Sequence, residues 1–104
     1  MAEHQVAFEG MAWETPAPHV REKRIVRRGK ALRLLELERG FVEEDWCLRE
    51  HAGYVIEGRL TVAFGDEAVE FGPGDGIDIS PGEGARHKAT PLSERVLLFL
   101  VDPA

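Results

Sequence analysis

Short apolar runs separated by glycine turns fill the stretch from Trp46 to His87, WCLREHAGYVIEGRLTVAFGDEAVEFGPGDGIDISPGEGARH. Apolar and polar side chains alternate at residues 59–64 and 67–71, which is the period of a β-strand with one buried face. The dipeptide Glu57-Gly58 predicts a tight turn within YVIEGRLTVAF, before the strand at 59–64, and Gly65-Asp66 predicts the turn after it. Short strands with frequent turns and no convincing helix indicate an all-β barrel or sandwich.

The flanking segments fit the same class. Pro16 and Pro18 exclude a helix in the lead-in. The run ALRLLELE at 31–38 changes its apolar phase between Leu34 and Leu35, so we predict a strand with a β-bulge, in competition with a short helix. RVLLFLV at 95–101 is apolar on both faces, as a covered central strand would be. We expect a single domain, with residues 1–30 as an extended arm with the first strands and residues 31–104 as the barrel.

Length and composition limit the possibilities further. A chain of 104 residues with 43% apolar and 31% charged residues is typical of one folded domain with one core. The longest apolar run, at 96–101, is far shorter than the roughly 20 residues that span a bilayer. The opening MAEHQVAFEG has neither the basic nor the apolar region of a signal peptide. We therefore expect a cytoplasmic protein with no membrane partner.

The charge distribution argues against nucleic acid as a partner, because the net charge is -6. Residues 21–33 nevertheless hold seven of the 13 basic residues and a single acid. No aromatic residue is interleaved among them, as single-strand binding would require, so we interpret them as a solvated strand and turn that pair with acids elsewhere. The alternative is a phosphate-binding segment. The single cysteine, Cys47, is a free thiol, a metal ligand or a small buried side chain, and the last is the usual case.

Two segments resemble the motifs of cupins, small β-barrels of the jelly-roll class. HAGYVIEGRLTV at 51–62 resembles the end of the first cupin motif, and GPGDGIDISPGEGARH at 72–87 resembles the second. The resemblance implies an all-β jelly-roll barrel with little or no helix. Metal-binding cupins present two histidines, a glutamate and a second-motif histidine to the barrel mouth. Matched by residue, His87 is the second-motif histidine and His51 takes the glutamate position, whereas the early pair falls near Glu44 and Trp46 and is missing.

A metal site can still be assembled from this stretch. His51, His87 and Glu44 could supply two imidazoles and a carboxylate to a divalent transition metal such as iron, manganese, zinc or nickel. Cys47 is the alternative to Glu44. The two face opposite sides of a regular strand, and Cys47 shares its face with Arg49 and His51, so Glu44 would enter only if the strand were broken. A barrel without metal is equally compatible with the sequence.

These residues lead to three functional hypotheses. In the first, the barrel binds a small polar or anionic metabolite as an isomerase, lyase or dioxygenase, and His51 and His87 ligate the metal or act as acid and base. In the second, a metal-free sensing or storage barrel binds its ligand through Trp46, which stacks on it, and Tyr54 in the pocket wall. In the third, the barrel is a dimerisation module, and we expect a homodimer in which residues 1–30 cross to the partner.

Overall fold

The computed structural model describes residues 4–104, and nine antiparallel strands account for most of them. Two short 3-10 helices, Phe8–Gly10 and Glu83–Ala85, are the helical segments of this part of the chain. The all-β class predicted from the alternation and the turns is therefore confirmed. The strands are β1 (Glu14–Ala17), β2 (Val20–Arg27), β3 (Lys30–Glu38), β4 (His51–Glu57), β5 (Leu60–Phe64), β6 (Glu67–Phe71), β7 (Gly76–Ile79), β8 (Lys88–Pro91) and β9 (Arg95–Pro103).

The strands form two sheets. The larger has six strands in the order β1-β2-β3-β9-β4-β7, and the smaller has three in the order β6-β5-β8. β9 lies between β3 and β4, as its continuous apolar sequence predicts. Buried side chains of both sheets form one core cluster, to which β5 contributes Leu60 and Val62 and β9 contributes Val96, Leu98 and Leu100. The core therefore lies between the sheets, and the site described below opens from it.

The β-bulge predicted within residues 31–38 is wrong. β3 pairs without a register shift with β2 on one side and β9 on the other. Leu35 and Leu37 face the interior, whereas Leu34 lies on the outer face opposite Phe99 of β9. Phe8 packs edge-on against Phe99, with ring centroids 6.1 Å apart. Because the N-terminal segment covers part of the outer face, both faces of β3 carry leucines without any change of phase.

A tight turn occurs at Gly65-Asp66, whereas at Glu57-Gly58 the chain bends from β4 in the larger sheet to β5 in the smaller one. Gly58, between β4 and β5, has φ +81°, a left-handed conformation that disfavours side chains. A Cβ atom at Gly58 would also lie 2.1 Å from the carbonyl oxygen of Arg95. Gly65 begins the β5–β6 turn with φ +68°. The turn at Gly65-Asp66 connects the β5–β6 hairpin, and the bend at Gly58 brings the chain into the smaller sheet.

The N-terminal arm joins the larger sheet within the chain. β2 pairs along its whole length with β3, from Val20 opposite Leu37 to Arg27 opposite Lys30. Arg21, in the basic stretch, forms an ion pair with Glu36, which agrees with the interpretation of that stretch as paired with acids. Residues 1–3 of the arm lie outside the described residues, and the boundary at residue 30 stays a prediction. Among residues 4–104, no helix is long and apolar enough to cross a bilayer.

Candidate metal centre in the barrel cavity

A cavity of about 270 Å³ lies between the two sheets. Most of its wall is apolar, and its polar groups come from residues 43–51, from His87 and from β2 and β3 of the larger sheet. The volume is below the range of about 300–1,000 Å³ that is usual for drug-sized ligands, so a ligand here would be small. The apolar wall includes Leu35, Leu37, Leu60, Val62, Ile77, Ile79, Leu98 and Leu100.

The segment that leads into β4, together with the first residue of that strand, places alternate side chains in this cavity. Cys47, Arg49 and His51 line it, as their spacing predicts, whereas Trp46 and Leu48 are exposed. The segment is not a continuous strand. Its fixed point is Cys47, whose backbone N–H donates to the carbonyl of His87 at 2.9 Å and whose carbonyl accepts from the N–H of His87 at 3.0 Å. This reciprocal pair of bonds places Cys47 and His87 side by side.

His51 is held by a carboxylate from the last strand. Its Nδ1 lies 2.9 Å from Oδ1 of Asp102, whose side chain is only 1% exposed. An ionised carboxylate only accepts hydrogen bonds, so Nδ1 carries the proton and the lone pair is left on Nε2. Arg33 donates to the other oxygen of Asp102, at 2.7 Å from Nε and 2.6 Å from a terminal nitrogen. Asp102 therefore fixes both the tautomer and the orientation of His51.

Asp102 is ionised in this setting. Burial by itself raises the pKa of a carboxyl group, but the hydrogen bond with His51 and the positive charge of Arg33 outweigh it and lower the pKa of Asp102. A buried carboxylate without such partners would cost several kcal/mol, on the order of the penalty for any unpaired buried ion. The network of Arg33, Asp102 and His51 therefore depends on all three members.

His87 presents a free nitrogen inside the protein. The residue is 4% exposed, and its Nδ1 lies 3.0 Å from the carbonyl oxygen of Ala85, which can only accept. The proton is thus on Nδ1, and Nε2 is buried with no hydrogen-bond partner within residues 4–104. The rings of His51 and His87 are edge to face with centroids 5.1 Å apart. A buried acceptor without a partner is uncommon, and a nitrogen in this state is suited to bind a metal ion.

Three donors converge at this point. Sγ of Cys47 lies 3.6 Å from Nε2 of His51, and the candidate ligand atoms of Cys47, His51 and His87 all lie within 4.8 Å of one another. Bonds of about 2.0 to 2.3 Å in a tetrahedral site put its donors roughly 3.3 to 3.8 Å apart. The Cys47–His51 pair already has this spacing, and the other separations, at most 4.8 Å, need to close by about 1.5 Å or less. The residues present therefore fit a metal ion of the transition series.

Other predicted residues lie elsewhere. Glu44 is exposed and is not part of the three-donor group, and its backbone carbonyl accepts from Lys88. The break that would have turned Glu44 inward is absent because the alternation of side chains continues through Cys47, Arg49 and His51. The structure thus brings together His51, His87 and the alternative ligand Cys47, and not the set that contains Glu44.

The two predicted ligand-binding aromatics also lie away from the cavity wall. Trp46 is 36% exposed, with the cationic groups of Arg86 and Lys88 each 4.9 Å from its ring centroid. Tyr54 is 48% exposed, on the outer face of β4 opposite Phe99. Both face outward because they occupy even positions, whereas the inward side chains from Cys47 to Val55 are odd. Neither aromatic contributes to the cavity of this structure.

Asp102 and Arg33 were not among the site residues predicted from the sequence. The available signal was the alternation of β9, in which Val96, Leu98 and Leu100 face the core and the next inward position is Asp102. An acid on the buried face of an apolar strand is rarely without a partner. That signal identifies an unusual carboxylate, but it does not identify His51 as its partner, which is 51 residues away in sequence.

The two antiparallel sheets around a donor-lined cavity define a small jelly-roll barrel. No family model and no curated protein matches the chain. Solved structures do: KdgF from Halomonas sp. has a TM-score of 0.74 and 22% identity over 92% of this chain and 91% of its own. An RmlC-like cupin from Shewanella frigidimarina NCIMB 400 has a TM-score of 0.76 and 18% identity over 99% and 93%. FeII HppE has a TM-score of 0.74 and 11% identity over 93% and 58%. The chain has the cupin fold, as predicted from residues 51–62 and 72–87.

Proposed function

We propose that this protein is a metal-binding cupin in which Cys47, His51 and His87 hold a divalent transition metal and the surrounding cavity takes a small polar metabolite. The observation that carries the proposal is the buried, unpartnered Nε2 of His87, close to the thiol of Cys47 and the imidazole of His51. Three protein ligands leave at least one coordination position for water or a bound molecule, which is the pattern of reactive rather than purely structural sites.

The donor set favours zinc among the metals considered. A thiolate with two imidazoles suits zinc, whereas manganese prefers carboxylate and water oxygens. Iron is the second candidate because FeII HppE, a solved structure with the same fold, is described with iron(II). Nickel also accepts imidazole ligands and is the third.

A bound divalent metal would supply Lewis acidity, polarising a carbonyl or lowering the pKa of a bound water. The chain's own residues set the conditions for that chemistry. Asp102 orients the ring of His51 through Nδ1, and the carbonyl of Ala85 does the same for His87, so that each Nε2 is the nitrogen available to a metal. The apolar wall offers a contact surface to the non-polar part of a ligand. Without metal, His51 and His87 would remain as the acid and base of the alternative hypothesis.

Metal analysis of protein purified without a histidine tag tests the proposal. We expect close to one zinc or iron per chain, and loss of that metal in Cys47→Ser, His51→Ala and His87→Ala variants that retain the wild-type circular dichroism spectrum. The matched control is His19→Asn. His19 is exposed and has φ 65°, a conformation that asparagine tolerates, so this variant should keep its metal.

Cobalt substitution tests the ligand set separately. Cobalt(II) bound to the wild-type protein should show a thiolate-to-metal charge-transfer band that disappears in Cys47→Ser. A metal-free protein that also fails to take up added zinc or cobalt would refute the proposal and leave the metal-free binding barrel in its place. Binding of metal with no dependence on His87 would refute the assignment of the ligands.

A further inference from the structure

The basic side chains in the cavity wall differ in how they are neutralised. Arg33 and Arg49 are the arginines that line the cavity, and no lysine among the described residues does so. Arg33 contacts two carboxylates, Glu22 at 3.1 Å and Asp102 at 2.6 Å. Its charge is therefore balanced within the protein, and it has no need of an anionic ligand.

Arg49 has no such balance. Its side chain donates one hydrogen bond, from a terminal nitrogen to the backbone carbonyl of Pro103 at 3.2 Å. Within residues 4–104, no carboxylate forms an ion pair with it. A guanidinium has five N–H donors, so most of its donors remain available. The side chain is exposed at the edge of the cavity, and its bond to Pro103, at the end of β9, does not neutralise its charge.

Arg49 also lies next to the three-donor group in sequence. It is the inward residue between Cys47 and His51, two residues from each, which is about 6 to 7 Å along an extended chain. Glu43 also lines this part of the cavity, and one of its carboxylate oxygens accepts a hydrogen bond from the backbone N–H of Ala89 at 2.7 Å. An anion at Arg49 would thus sit beside the candidate metal ligands.

We infer that the cavity recognises a small carboxylate, with its carboxylate group on the guanidinium of Arg49 and a short aliphatic part against the apolar wall. One guanidinium matches one carboxylate, because two parallel N–H donors pair with its two oxygens. The single positive charge of Arg49 balances a carboxylate monoanion, whereas a phosphate dianion would carry one charge more. This inference rests on the proposed function, because it names the class of ligand that the cavity would take. Binding of a carboxylate by Arg49 does not itself require the metal.

Two probes of equal size test the role of charge. Butanoate and the neutral butanamide are titrated into ¹⁵N-labelled protein, and the dissociation constants are taken from shifts of backbone amide resonances. Butanoate should bind at least about tenfold more tightly than butanamide, as the loss of a charge-assisted pair of hydrogen bonds requires. Arg49→Gln should remove this preference, and Arg49→Lys should restore it only in part because an ammonium lacks the planar fork.

The control variant is Arg24→Gln, which removes an exposed arginine of β2 that does not line the cavity. It should bind butanoate like the wild type. Equal binding of the two probes by the wild type, or unchanged butanoate binding by Arg49→Gln, would overturn the inference. So would equal weakening of butanoate binding by Arg24→Gln, since the effect would then come from net charge alone.

Running the titrations on chelator-treated and on zinc-loaded protein separates this inference from the proposed function. Butanoate binding that depends on Arg49 in both samples supports the inference. The same result in protein that cannot take up zinc would refute the metal centre and leave the carboxylate site standing. If the protein takes up zinc but Arg49→Gln binds butanoate like the wild type, the metal centre would stand and the role of Arg49 would be refuted.

Discussion

Replacing Asp102 with asparagine tests the reasoning about the candidate metal centre most directly. Asparagine has the same shape but no charge, so His51 loses its carboxylate partner and Arg33 keeps only Glu22. Loss of the partner of a ligating histidine typically lowers metal affinity by about 10- to 100-fold. That range corresponds to about 1.4 to 2.7 kcal/mol of binding free energy.

The same change lowers stability because a buried charge-assisted contact is lost. Hydrogen bonds to charged groups contribute about 1.5 to 3 kcal/mol. We expect the free energy of unfolding to fall by this amount and not by more, because Arg33 keeps Glu22 as a partner. For a domain of this size, each kcal/mol corresponds to a decrease in melting temperature of about 4 to 8 °C. We therefore expect metal-free Asp102→Asn to melt at a clearly lower temperature than the metal-free wild type.

Glu22→Gln is the matched control. It also takes one carboxylate from Arg33, but Glu22 does not contact His51. Both variants should lose stability in the metal-free state, measured by thermal unfolding with circular dichroism. Only Asp102→Asn should lose zinc affinity, measured by competition with a chromophoric chelator. Equal zinc affinity in the two variants would show that Asp102 does not act through His51, and the argument from the network would fail.

Three further predictions concern the fold and the assembly. Hydrogen bonds from Arg21 and Arg95 outweigh burial and lower the pKa of Glu36. The stability that ionised Glu36 contributes is therefore present above the usual pKa of a glutamate and is lost as the pH falls through the lowered pKa. Glu36→Gln should therefore cost about 1 to 3 kcal/mol near neutral pH and almost nothing in acid, as measured by urea unfolding at several pH values, and an unchanged pH dependence would contradict this. A Cβ atom at Gly53 would lie 1.9 Å from the carbonyl oxygen of Phe99, so Gly53→Ala should destabilise by at least about 3 kcal/mol or prevent folding, whereas Gly84→Ala, with nothing within 4 Å, should be neutral in the same assay. Light scattering after size exclusion should give the mass of a homodimer, and a monomer at high concentration would refute exchange of the N-terminal arm.

Several local features could be predicted from the sequence because they depend on neighbouring residues. The glycine turns at 58 and 65 and the alternation of apolar side chains specify short strands without reference to the rest of the chain. The inward direction of Cys47, Arg49 and His51 also follows from alternation alone. The β-bulge failed for the opposite reason, since whether Leu34 is covered depends on Phe8 and Phe99, which are distant in sequence.

The sequence by itself determined the all-β class, the turn positions and which of two faces each side chain near Cys47 would take. Only the tertiary structure decided that Cys47 rather than Glu44 joins His51 and His87, that Asp102 holds His51, and that Arg49 is left without a carboxylate partner among the described residues. The physical reason is that alternation is a property of the backbone, with a period of two residues. The meeting of side chains 40 residues apart (Cys47 and His87) or 51 apart (His51 and Asp102) depends on the order and register of strands, which many sequences with the same pattern would set differently.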